Sequence, residues 1–229
     1  MAKILFRVVV VLMLLASPAL ATERFADQNA LMTWVTHYFQ KPEPDFFEDS
    51  LKDAHELKAL QNTRCVPTLI GFYAGMFQTD KDLRQPAATL NNDFPQVERH
   101  AILRGLRYSS KNDDDPAPLL LEELDKAPLI VDMLWGYFYA TGDEAAVKRI
   151  ILALPWSTMK REDVKDDKQK RLQWQAGVSA KRSLATQAAR YQRVMEICKK
   201  ELPGEPPEIK PILQEVINQA ESGAATGKP

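Results

Sequence analysis

The sequence predicts an all-α fold: a body of stacked helical hairpins with α-solenoid character, and a long C-terminal helix packed back on it. Three observations carry this. Glycine is scarce, nine in 229 residues, and Gly204, Gly223 and Gly227 fall near the C-terminus. Proline stands at the boundaries of apolar-periodic segments, where it punctuates helices. No segment shows sustained apolar/polar alternation closed by hairpin turns, which strands would require.

The first element is an export signal. Lys3 and Arg7 flank the apolar run Val8 to Ala16, followed by Pro18 and Ala19-Leu20-Ala21, the pattern of a secretory leader cleaved after Ala21. Nine apolar residues fall short of the roughly 20 that span a bilayer. A periplasmic or secreted protein is expected, and not an integral membrane protein. Residues 22–156 then form a helical-hairpin body, 157–221 a C-terminal helical arm, and 222–229 a disordered tail.

Within the body, Leu31, Trp34, Val35 and Tyr38 share one helix face, as do Val147, Ile150, Ile151 and Leu154. Asp143 is the expected N-cap of the second helix, with Glu144 in its first turn. Between them the pattern gives helices over Asp45–Leu60, Cys65–Gln78, Asp80–Asn91 with a break at Pro86, Pro95–Ser109 and Pro128–Thr141. Ser109–Pro118, with Asp113, Asp114 and Asp115, is a loop, and Pro116–Leu124 a short helix. At an offset of 61, Pro67, Leu69, Ile70, Phe72, Gly75 and Phe77 match Pro128, Ile130, Val131, Met133, Gly136 and Phe138. A glycine in mid-helix costs about 1 kcal/mol unless another backbone comes close, so Gly75 and Gly136 mark tight packing in equivalent places.

In the arm, Ser157–Gln175 is highly charged and reads as a solvated helix or linker. Leu184, Ala188, Tyr191, Met195, Cys198 and Leu202 then step by 4, 3, 4, 3, 4, the seam of one long helix. After Pro203-Gly204-Glu205-Pro206-Pro207, a last helix places Ile209, Ile212, Leu213, Val216, Ile217 and Ala220 on one face, expected to dock on its own body.

Charge is nearly balanced, 30 basic against 31 acidic residues, but unevenly placed. Residues 22–156 hold 14 basic and 21 acidic side chains, whereas 157–200 hold 12 and 5. In an exported chain nucleic acid is not the expected partner. The basic arm either folds against the acidic body or faces an anionic envelope surface or partner.

The familiar catalytic signatures GxSxG, HExxH, GxGxxG and CxxC are all missing. His37, His55 and His100 lack metal-ligand spacing, and the Asp113–Asp115 run lacks the ligand pattern of a calcium loop. No cofactor and no metal are expected. Cys65 and Cys198, an even pair in an oxidising compartment, are either a disulfide worth about 4–5 kcal/mol in the chain-entropy model or two buried thiols. Asp132 is the single charge between Lys126 and Asp143, on a helix apolar nearly all round. It is either a structural ion-pair member, with Arg104 or Arg107 as partner, or a functional carboxylate of shifted pKa.

The segments PLIVDMLWGYFYATGDEAAVKRIILAL (Pro128–Leu154) and WVTHYFQKPEP (Trp34–Pro44) resemble an exported bacterial all-helical family of unassigned function, and more loosely the helical hairpins of TPR scaffolds. The resemblance covers the body and implies packing rather than chemistry; the offset of 61 departs from the 34-residue TPR period. The leading expectation is a periplasmic or secreted scaffold that binds a protein or peptide partner between helical hairpins, more a binder than an enzyme. The alternative is a helical hydrolase acting on a cell-envelope polymer through a lone carboxylate, Asp132, Glu122 or Glu123.

Overall fold

The computed structural model describes residues 24–110 and 129–225. The leader at 1–21, most of the Ser109–Pro118 loop, the Pro116–Leu124 helix with Glu122 and Glu123, and the end of the tail lie outside them. The described residues contain eleven α-helices: α1 (Gln28–His37), α2 (Phe47–Glu56), α3 (Val66–Thr79), α4 (Arg84–Leu90), α5 (Gln96–Ser110), α6 (Leu129–Thr141), α7 (Glu144–Leu152), α8 (Arg161–Val164), α9 (Lys168–Arg190), α10 (Gln192–Glu201) and α11 (Lys210–Ala225). Short 3-10 turns join several of them, including Tyr38–Gln40, Ala59–Gln61 and Leu154–Thr158.

Local chemistry starts several of these helices, Asp143 capping α7 as the sequence implies. The side chains of Asp27, Asp143 and Asp167 accept hydrogen bonds from the amides of Ala30, Ala145 and Lys170, satisfying N–H groups that have no partner within the helix. Pro67 sits in the first turn of α3, where its missing N–H costs nothing. Pro86 does not break its segment: it falls in the first turn of α4, after a 3-10 turn over Lys81–Leu83.

The core is centred on α3 and α6, both buried almost all round. Their backbones touch. A Cβ on Gly71 would lie 1.8 Å from the Met133 carbonyl oxygen, and one on Gly136 would lie 1.9 Å from that of Thr68. Gly75 faces Ala140 and the carbonyl of Tyr137. Gly75 and Gly136, matched at the offset of 61, thus lie in one shared interface. The contacts of residues 71 and 75 with 133 and 140 show that α3 and α6 run in the same direction. On its other side α3 meets α5, also parallel: Gly105 packs on Ile70 and Ala74, and Arg84 bridges the carbonyls of Phe77 and Ser109 at the two helix ends. The principal partner of α3 is therefore a distant helix rather than its sequence neighbour. The result is a compact all-α bundle.

The arm joins this core. Trp135 Nε1 donates to Ser183 Oγ at 2.9 Å, fixing α9 on α6, and α9 crosses the Leu154–Thr158 turn at Gly177, whose Cβ would lie 2.3 Å from the Ser157 nitrogen. The seam expected as one continuous helix is interrupted: Tyr191 is extended, φ −121° and ψ 114°, and separates α9 from α10. Its ring is buried among His37, Phe39 and Tyr139, so the chain gives up one turn of helix to insert an aromatic side chain. Beyond the break the buried face is Val194, Ile197 and Cys198, while Met195 and Leu202 are part-buried. The last helix docks as its pattern requires, with Ile209, Ile212, Leu213, Val216, Ile217 and Ala220 all buried. It continues to Ala225, past Ser222 where the tail was expected to begin.

Candidate functional site

Asp132 lies in the first turn of α6, half-buried. The expected ion pair does not form: Arg104 Nη2 donates instead to the hydroxyl of Tyr108, its neighbour one turn on, and among the described residues no cation pairs with the Asp132 carboxylate. Burial alone pushes that carboxyl above its ordinary value, because a charge leaving water without a partner is disfavoured. One face of α6 carries Asp132, Trp135 and Tyr139 at positions i, i+3 and i+7, and the Trp135 and Tyr139 rings stack at 6.1 Å. Tyr139 is buried and its hydroxyl is pushed up by desolvation. Across the seam, Tyr191 Oη and Gln187 Oε1, one turn apart on the chain, are buried with no hydrogen-bond partner.

Cys65 and Cys198 are both buried free thiols in the structure. Cys65 caps the start of α3, which packs on α5 and α6, whereas Cys198 lies on α10, which packs on α7, α9 and α11. Burial raises both thiols, Cys198 to about 12, so neither is an activated nucleophile.

A second carboxylate was not singled out by the sequence. Glu98 on α5 is fully buried. It accepts from His55 Nδ1 at 2.5 Å and from Gln61 Nε2 at 2.6 Å. His55 stacks on Phe94 at 4.9 Å and keeps 37% of its side chain exposed. These contacts tie α2 and the Ala59–Gln61 turn to α5 across 43 residues of sequence. His37 is a helix-end residue, its Nδ1 at 2.7 Å from the Thr33 carbonyl oxygen. His100 is exposed on α5. Among the described residues no group of three or more His, Cys, Asp or Glu side chains could hold a metal ion, and no helix is long and apolar enough to cross a membrane.

The surface offers shallow grooves. One, of about 350 Å³, runs between α9, α11 and the Leu154–Thr158 turn, lined by Val178, Lys181, Arg182, Ala185, Thr186 and Gln219, with Ser157 at its end. Val178 is 41% exposed. Lys181 is held to one side by Glu215 at 2.7 Å. A second groove lies against Leu202, Pro207 and Pro211, and a third against Pro44, Phe47 and Leu83 beside the acidic residues Asp45, Glu48, Asp49 and Asp80. Asp132 lines none of the three.

The basic arm meets acidic residues of its own chain at its C-terminal end. Arg193 and Lys200 both reach Glu144, at 3.1 and 2.7 Å, and pull its carboxyl below the ordinary range, the hydrogen bond from Lys200 most strongly. Lys199 pairs with Glu221. The sign also reverses: Lys148 on the body reaches Glu201 on the arm. Each of these exposed pairs contributes about 0–1 kcal/mol; the buried apolar face of α9 to α11 holds the arm in place.

Comparison with protein-family models, with curated proteins and with solved structures returned no match. The chain is an all-helical protein without a family assignment, and the resemblance to an exported helical family or to TPR hairpins finds no support there.

Proposed function

We propose that the protein is an exported, periplasmic or secreted helical scaffold of stacked-hairpin character that binds a protein or peptide partner without catalysing a reaction. The groove between α9 and α11 carries this reading: an exposed valine and a part-buried alanine form its floor, with lysine, arginine, threonine and glutamine at its edge. Such a surface suits a peptide, with an apolar contact for affinity and polar groups for orientation.

The experiment is site-specific photocrosslinking. A photoreactive residue at Val178 should give a discrete adduct in the cells that make the protein, and one at exposed Gln96 on α5, outside all three grooves, should not. Equal or absent crosslinking at the two positions would reject the reading.

A second reading has one observation in its favour. The Asp132 carboxyl, raised by burial and without an ion pair among the described residues, is of the type that serves as a general acid. In a helical hydrolase of a cell-envelope polymer, D132N would abolish release of soluble fragments from purified peptidoglycan. No release by the unaltered protein removes this alternative.

A further inference from the structure

We infer that the partner of the α9 groove is an acidic peptide segment carrying an aliphatic side chain, an inference that rests on the binding reading above. The observation is a division of the arm's charge that the groove alone does not reveal. The cations towards its C-terminal end are occupied: Lys181 by Glu215, Arg193 and Lys200 by Glu144, Lys199 by Glu221. Lys168, Arg171 and Arg182 pair with no carboxylate among the described residues; Arg171 donates only to the Lys165 carbonyl oxygen.

These three fall on one line with the groove. Lys168, Arg171, Gln175, Val178 and Arg182 step by 3, 4, 3 and 4 and are all exposed, so they share a face of α9. From Lys168 to Arg182 the line rises about 21 Å at 1.5 Å per residue. An extended peptide at about 3.3 Å per residue covers it with six or seven residues. Its carboxylates would meet Lys168, Arg171 and Arg182, and an aliphatic side chain would cover Val178 and Ala185. Arginine suits this role because its planar fork binds a carboxylate through two parallel hydrogen bonds. Glu215, bonded to the groove residue Lys181 at 2.7 Å, has its charge answered within the chain.

The test uses the full chain and the fluorescein-labelled heptapeptide Glu-Ala-Glu-Ala-Leu-Ala-Glu, whose three glutamates and leucine share one face when the peptide is extended, read by fluorescence anisotropy. Saturable binding is expected, weakened by added salt and weakened about tenfold or more by the double variant R171E/R182E. Replacing the peptide's glutamates with glutamine should have the same effect. The variant K52E, remote on α2, should bind as the parent does. Circular dichroism of R171E/R182E confirms folding, which both exposed sites should preserve. The inference is overturned if the glutamine peptide binds equally well, if R171E/R182E binds as the parent does, or if the acidic peptide fails to bind. It is also overturned if the protein instead sediments with phosphatidylglycerol vesicles through the same arginines, since the occupant is then a lipid surface. A Val178 crosslink to a neutral or basic segment would overturn this inference alone. Absence of any specific crosslink at Val178 would overturn the binding reading beneath it.

Discussion

Gly136 on α6 rests directly on the backbone of Thr68 on α3, so closely that a Cβ would stand 1.9 Å from the Thr68 carbonyl oxygen. The obstacle is backbone within a helix and cannot rotate aside. Gly136→Ala gains about 1 kcal/mol of helix propensity but must part the two central helices. A net loss of about 2–4 kcal/mol is expected, visible as a lower urea midpoint. Gly71→Ala, against the Met133 carbonyl, should behave alike. Unchanged stability in both variants would contradict the contact.

Asp132 makes stability depend on pH in a direction opposite to that of a paired carboxylate. Its carboxyl lies above the ordinary 3.8 because of burial, so in the pH range between the unfolded and folded values the folded chain binds the proton more tightly. The contribution is fully present below the unfolded value and is lost as pH rises through the folded one. At neutral pH the charge therefore opposes folding. Asp132→Asn should be more stable than the parent at pH 7, with the difference vanishing near pH 3 to 4. Denaturation midpoints across that range check this; a destabilised variant at pH 7 would mean that the carboxylate is held by a favourable partner.

Elements with a clean apolar period were legible in the sequence. The faces of α7 and α11 came through residue by residue, because one-sided amphipathicity has a single way to be buried. The steps of 4 and 3 from Leu184 to Leu202 were less informative, since spacing alone does not register an extended residue within a helical run. Tyr191 resets the phase, which is why Val194 and Ile197 are buried instead of Met195 and Leu202. The α3–α6 contact was half visible: Gly75 and Gly136 stood out by mutual similarity, but Gly71, which makes the closest approach, had no counterpart at the offset of 61.

The site was less legible, because its pairings join residues far apart in sequence. Neither His55 nor Glu98 belongs to a motif, yet they form a part-buried joint with Gln61 around the buried Glu98 carboxylate. Removing either partner has unequal consequences. His55→Ala leaves a fully buried carboxylate with only an amide donor and should cost about 2–3 kcal/mol. Glu98→Gln removes the buried charge, keeps its shape, and should cost less than about 1 kcal/mol. Urea denaturation of both variants distinguishes the order; equal losses would mean that packing rather than charge sets the cost.

The two thiols should respond differently to reagent. Cys198, pushed up to about 12 and fully buried, carries almost no thiolate at pH 8, and Cys65 at the head of α3 is the more accessible. Native protein kept under reductant and then desalted should label slowly with Ellman's reagent, Cys65 before Cys198. In denaturant it should give two thiols at once. No free thiol in denatured protein that was never reduced would show that the helices bearing the cysteines come together in an oxidised form.

Tyr191 separates packing from hydrogen bonding within one side chain. Its ring stands 5.5 Å from His37, 5.7 Å from Phe39 and 6.2 Å from Tyr139, and holds the break between α9 and α10. Its hydroxyl is buried without an acceptor or donor, a desolvation cost of about 1–3 kcal/mol without a compensating bond. Tyr191→Phe should therefore equal or exceed the parent in stability, while Tyr191→Ala should lose about 3–5 kcal/mol with the ring. Thermal denaturation of the pair decides the matter. A Phe variant clearly less stable than the parent would mean that the hydroxyl is bonded in solution, and the junction of α9 and α10 would then contain a polar contact that itself restrains the arm.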